Sequence, residues 1–247
     1  MGDAMKRILL AGAAALALAA QPTLAADAPV YKGPPPPASA LFNWSGFYVG
    51  LHAGYAWAGV SGIYDQLDAA GPTNLGALKL DGFVLGGQIG WNWQVNNFVV
   101  GVEADASWAH ARDSMLGSEP VGSGRGPDTI TVRRDYLASI RARLGVTWDR
   151  LLIYGTAGLG FTRHSISIAD VFTATTGTRS VSKSGLVVGA GIEHAFSNNM
   201  TWRLEYLHYA VGTRFALTSP PFADADPGDF VRFGPVNVVR AGVNVRF

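Results

Sequence analysis

The chain has 247 residues, of which 48% are hydrophobic and only 15% charged, with 31 glycines and no cysteine. That length fits one all-β domain or two smaller ones, and the lack of cysteine excludes a disulfide framework or a thiolate metal site. The formal charge is +1, from 19 basic and 18 acidic residues; setting aside residues 1–25, which hold Lys6, Arg7 and Asp3, leaves 17 against 17, so charge gives no reason to expect nucleic acid as a partner.

The first predicted element is an export signal. Lys6-Arg7 precedes an apolar run from Ile8 to Ala20, Gln21-Pro22 breaks it, and Thr23-Leu24-Ala25 supplies small residues for cleavage near Ala25. The run reaches only about 20 Å as a helix, short of the roughly 30 Å core of a bilayer. Residues 26–43 read as a semi-rigid spacer, because Pro34-Pro35-Pro36-Pro37 favours extended polyproline II and cannot join a sheet interior. The folded domain is predicted over 44–247. No later stretch has 18 uninterrupted apolar residues, so no transmembrane helix is expected.

Eight runs of period-two alternation follow, at 46–57, 82–93, 98–108, 135–148, 151–161, 185–196, 200–209 and 236–247. The first sets Phe47, Val49, Leu51, Ala53, Tyr55 and Trp57 against Tyr48, Gly50, His52 and Gly54. The third sets Val100, Val102, Ala104, Ala106 and Trp108 against Gly101, Glu103, Asp105 and Ser107. The last sets Val239, Ala241, Val243, Val245 and Phe247 against Arg240, Gly242, Asn244 and Arg246. Short turns near Val95-Asn96-Asn97, Asp149-Arg150 and Ser197-Asn198-Asn199 alternate with long connections at 58–81, 109–134, 162–184 and 210–235. Three short turns sorted by parity from four long loops predict an all-β fold. Specifically, they predict an eight-stranded antiparallel up-and-down transmembrane β-barrel, with short periplasmic turns and long extracellular loops. Strands of about eleven residues, tilted about 40°, span roughly 28 Å, close to the apolar band of an outer membrane. All seven tryptophans lie at or beside a strand end. With Phe98, Phe196 and Phe247 on the turn side and Tyr55, Phe83, Tyr136 and Phe161 on the loop side, they predict two interfacial belts. A soluble β-sandwich is the rival fold.

With the apolar faces toward lipid, the inner faces hold Glu103, Asp105, Arg141, Arg143, Glu193, Arg203, Glu205, Arg240 and Arg246. An arginine facing lipid near the midplane costs about 2–4 kcal/mol, which fixes this orientation. Eight-stranded barrels are narrow enough for side chains to fill, so these residues are expected to form a lumen charge network. A gated ion path or a catalytic dyad at Glu103 and Asp105 is the alternative use. The five histidines show no metal-ligand spacing, and no catalytic residue, cofactor or metal is assigned. His164-Ser165 near an outer loop is the weak sign of a lipid hydrolase. Gly155-Thr-Ala-Gly158-Leu-Gly160 lacks the lysine and helix of a phosphate loop, and its glycines are expected to allow curvature or close packing.

Trp44-Ser-Gly-Phe-Tyr-Val-Gly50 with Ala53-Gly54-Tyr55, a signal peptide, a Pro-rich leader and the closing Arg240-Ala-Gly-Val-Asn-Val-Arg-Phe247 resemble the small outer-membrane β-barrel proteins of alphaproteobacteria, related to opacity-type and OmpA-like barrels. The resemblance covers essentially the whole mature chain. It implies a Gram-negative outer-membrane location and a Pro-rich segment 26–43 in the periplasm. It also implies insertion by the barrel-assembly machinery, which reads the terminal strand through Val243, Val245 and Phe247. Roles in envelope integrity, exposure as surface antigens, and sometimes porin-like or haem-binding activity come with it. Some relatives attach a mature Ala-Asp start to peptidoglycan, and Ala26-Asp27 matches that start; anchoring through a following OmpA-type domain is not expected. Outer-membrane lipid and lipopolysaccharide are the other expected partners. The leading expectation is a structural, surface-exposed barrel without catalysis. The alternatives are a narrow porin-like channel for small solutes and a lipid-modifying outer-membrane enzyme.

Overall fold

The alternating runs build eight long strands, β1 (Gly46–Asp65), β2 (Gly82–Val95), β3 (Phe98–Leu116), β4 (Thr129–Trp148), β5 (Leu151–Asp170), β6 (Thr175–Ala195), β7 (Met200–Ala210) and β8 (Phe230–Arg246). They are seen in a computed structural model that describes residues 42–65, 73–74, 77–116, 129–170, 175–216 and 230–247. Each long strand pairs antiparallel with the next, and β8 returns to β1 with Tyr48 opposite Arg246 and Tyr64 opposite Phe230. The Phe247 N–H donates to the Phe47 carbonyl at 2.9 Å at the seam. Closure leaves no strand edge open, as hydrocarbon surroundings require. Three short strands, Thr73–Asn74, Ala77–Lys79 and Thr213–Ala216, pair with the loop-side parts of β1 and β8. Among the described residues no helix is long and apolar enough to cross a membrane; the crossing is made by strands.

The predicted turns fall where their chemistry permits. Asn96 (φ 55°) and Asp149 (φ 50°) take the left-handed conformation that Asn and Asp tolerate better than other non-glycine residues. The long connections are a different matter. Strands β1, β3, β4, β5, β6 and β8 run well into the segments read as loops, with β5 and β6 paired out to Asp170 opposite Thr175. Beyond the bilayer both wall faces are wet, so the apolar/polar contrast that marks a membrane strand fades. The polar run Thr178–Ser184 shows no such contrast although it is fully paired. Parts of the four connections (66–72, 75–76, 117–128, 171–174 and 217–229) lie outside the described residues, as do the predicted signal 1–25, most of the spacer and the Ala26-Asp27 pair.

The wall is inside-out relative to a soluble protein. Leu51 and Phe83 are 72% and 76% exposed, and Leu85, Ile140, Leu144 and Leu159 share that outward side, while the ionic residues are buried. Six tryptophans are exposed: Trp91, Trp93, Trp148 and Trp202 near turn-side strand ends, and Trp57 and Trp108 where the predicted runs 46–57 and 98–108 stop, although both strands continue eight residues further. Trp44 departs from the expectation. It precedes β1, so strand alternation does not govern it, and it is fully buried in the turn-side mouth.

Candidate functional site

The interior carries whatever chemistry the barrel has, and it is stacked in three layers. The middle layer holds four carboxylates, from Glu103, Asp105, Glu193 and Glu205, and four guanidiniums, from Arg141, Arg143, Arg203 and Arg240. All are buried, and their charges cancel. Register brings neighbours together: Glu103 faces Arg141 across β3–β4, Glu193 faces Arg203 across β6–β7, and Glu205 faces Arg240 across β7–β8. Further contacts cross the lumen. Glu103 accepts from Arg141 Nη2 at 2.5 Å and from Arg203 on the opposite wall, and Asp105 accepts from Arg240 Nη1 at 2.7 Å. Glu205 accepts from Arg240 Nε at 2.8 Å and from Arg141 Nη1 at 3.1 Å. Each carboxylate therefore meets at least one guanidinium, the condition under which a buried ion pair offsets its desolvation. Arg246, also assigned inward, lies below this set and donates to the Asn43 and Ser45 carbonyls.

Several partners carry no charge. Tyr48 donates to Glu103 at 2.6 Å, and Tyr154 donates to Glu205 at 3.0 Å. The Arg143 guanidinium stacks over the Tyr154 ring at 4.0 Å, a favourable cation–π arrangement when desolvated. These rings fit because their register partners are glycines. A Cβ on Gly90 would lie 2.3 Å from the Tyr48 hydroxyl, and one on Gly191 would lie 2.6 Å from that of Tyr154. The Gly155–Gly160 run serves close approach as well, since a Cβ on Gly158 would meet the Ile140 carbonyl at 2.1 Å.

A directional chain of hydrogen bonds leaves this layer. Asn244 Nδ2 donates to Glu193 at 2.9 Å, and Gln88 Nε2 donates to Asn244 Oδ1 at 2.7 Å. Gln88 Oε1 is thereby turned to His52 Nδ1 at 2.5 Å. Because Glu193 only accepts, each amide is oriented in turn and His52 carries its proton on Nδ1. His52 Nε2 then accepts from Ser107 at 2.7 Å and from Arg240 at 3.3 Å. Serine beside an oriented histidine is the pairing nucleophilic catalysis uses. Here both residues are enclosed, and Arg240 shares the nitrogen that would serve as the base.

Apolar layers close both ends. On the loop side, Val84, Leu137, Val187, Leu207, Tyr209 and Val238 belong to one buried cluster. On the turn side, Phe42 and Trp44 pack with Val99, Leu152, Tyr154 and Ala195. The Trp44 indole N–H donates to the Asp149 carbonyl at 2.9 Å, the Phe42 N–H donates to the Asp149 carboxylate at 3.0 Å, and the Arg246 guanidinium lies 5.2 Å from the Trp44 ring. The charge network therefore fills only the middle of the lumen. The inward valines and leucines were not legible as plugs, because in runs such as Leu186-Val187-Val188 both wall faces are apolar.

The His164-Ser165 pair does not form a dyad. Ser165 donates to Asp135 at 2.6 Å, whereas His164 stacks on Phe233 at 4.6 Å and its Nδ1 has no partner among the described residues. Among the described residues no group of three or more His, Asp or Glu side chains is placed to hold a metal. Val243 and Val245 lie on the outward side of β8 and Phe247 just beyond its end, its ring tilted 39° to that of Phe47 at 6.1 Å.

A family model described as outer membrane protein beta-barrel domain matches residues 11–247. The 31 kDa outer-membrane immunogenic protein of Brucella melitensis is 32% identical over 98% of this chain and 100% of its own length. The 22 kDa outer membrane protein of Rhizobium leguminosarum is 31% identical over 83% of this chain and 79% of its own. The crystal structure of outer membrane protein OprG from Pseudomonas aeruginosa aligns with a TM-score of 0.51 at 12% identity, over 83% of this chain and 99% of that one. At that identity the likeness concerns the fold alone.

Proposed function

The chain belongs to the outer-membrane β-barrel domain family and resides in the outer membrane, and from that premise we propose that it is a structural, surface-exposed component of the envelope without catalysis. The observation that carries this reading is the sealed interior: a neutral ion-pair layer between two apolar layers. Such packing supports a wall element over a narrow porin-like channel. The enclosure of Ser107 and His52 supports a non-enzymatic role. The immunogenic designation of the Brucella relative supports exposure of the segments joining β3 to β4 and β7 to β8.

The outward belts take outer-membrane lipid and lipopolysaccharide as the surrounding partner. The Val243, Val245 and Phe247 face of β8 serves the assembly machinery, and Ala26-Asp27 serves attachment to peptidoglycan. The test uses a strain lacking the protein, complemented with the wild-type gene or with one carrying an epitope in the β3–β4 connection. Loss of the protein should increase detergent sensitivity, either gene should restore resistance, and antibody should label intact epitope-bearing cells. Normal detergent resistance in the deletion strain, or labelling only after the outer membrane is opened, contradicts the proposal.

A further inference from the structure

The apolar layer on the loop side of the lumen encloses two basic side chains. Arg134 on β4 stands past the slip in register with β3, and its register partner on β5 is His164. They are 2% and 3% exposed, so both point inward. The next inward residues on these strands, Val132 and Leu137 on β4 and Ile166 on β5, belong to the buried apolar cluster, as do Leu80 and Phe233. Among the described residues the one hydrogen bond of Arg134 goes to the Leu80 carbonyl at 3.5 Å, and its Nε has no partner. His164 stacks on Phe233 at 4.6 Å with Nε2 lying 3.4 Å from Thr162 Oγ1, and its Nδ1 has no partner among the described residues. No carboxylate of the described residues pairs with Arg134, and the four of the middle layer are matched there by four guanidiniums. A guanidinium does not lose its proton to escape burial, and a buried charge without a counter-charge is strongly destabilising. Charge balance in this layer therefore calls for an anion.

We propose that Arg134, with His164 beside it, is a binding site for a small inorganic monovalent anion of the size of chloride, taken up from the loop-side mouth. The free guanidinium N–H groups donate to the ion, and the Nδ1–H tautomer of His164 adds a neutral donor. Close packing sets the size, since Leu80, Val132, Leu137 and Ile166 are at most 1% exposed, which favours a single-atom ion over an organic acid. Leu137 separates Arg134 from Ser139 and Arg141 on the same strand, so an ion held here does not pass on to the middle layer. The site therefore goes beyond the structural reading above and does not depend on it.

The test is urea unfolding of the refolded full-length protein in nonionic micelles, followed by tryptophan emission, as sodium gluconate is replaced by sodium chloride at constant ionic strength. An ion held only by the folded state stabilises it in proportion to the logarithm of its concentration above the dissociation constant. The folding constant of wild type should rise about tenfold or more between chloride-free medium and about 0.3 M chloride, and Arg134→Met should abolish that rise. Without chloride, Arg134→Met should be at least as stable as wild type, because it removes a buried charge and keeps an apolar stem of similar length. Heat-shifted gel mobility identifies the folded barrel. Three results would overturn the proposal: no chloride response in wild type, an equal response in Arg134→Met, or an Arg134→Met variant that fails to form the barrel or unfolds more readily than wild type without chloride. The last would mean that a carboxylate of this chain already neutralises Arg134.

Discussion

Glu103 is the most connected carboxylate of the interior, accepting hydrogen bonds from Tyr48, Arg141 and Arg203. Glu103→Gln preserves its shape but leaves one guanidinium charge uncompensated among buried groups. Removing one partner of a buried pair typically costs about 3–5 kcal/mol. Urea unfolding of the refolded variant in micelles, followed by tryptophan emission, should show a loss of that size; a loss below about 1 kcal/mol would mean that the ion pairs do not hold the wall together. The charged members of this layer were legible in the sequence because each falls on the polar side of an alternating strand. The fit of Tyr48 to Gly90 and of Tyr154 to Gly191 was not, since it depends on the register between strands.

At the scale of elements, the strand cores and the tight turns could be read from period and turn chemistry, but their outer ends could not. Alternation reports a contrast between lipid and lumen, and above the bilayer that contrast disappears, as the paired polar stretch Thr178–Ser184 shows. The segment before β1 was legible only as a spacer leading to a belt tryptophan, because nothing in its residues announces that Phe42 and Trp44 turn under the barrel. Trp44→Ala removes a fully buried ring together with its hydrogen bond to Asp149 and its contact with Arg246. The expected cost is about 3–5 kcal/mol in the same unfolding assay. Bilayer conductance of this variant should stay at the wild-type level, because the ionic layer and the loop-side apolar layer remain; steady current in it would make the Phe42–Trp44 segment the principal seal.

For the whole molecule, closure and filling are separate achievements of the same chain. Closure comes from β8 returning to β1, which hydrocarbon surroundings demand of any strand-built span. Filling comes from the small circumference of eight strands, which leaves room for side chains and little else. Here those side chains are charge-balanced in the middle and apolar at each end. The sequence carried the architecture because lipid imposes one pattern on all eight strands. It carried less of the interior, where packing across the lumen joins residues far apart in the chain, such as Arg240 and Asp105, 135 positions apart. The most direct test of a sealed barrel is single-channel recording of the refolded full-length protein in planar bilayers. A sealed barrel gives no reproducible unitary current above the bare-membrane baseline. Steady unitary conductance that changes with substitution at Glu103 or Arg141 would contradict it.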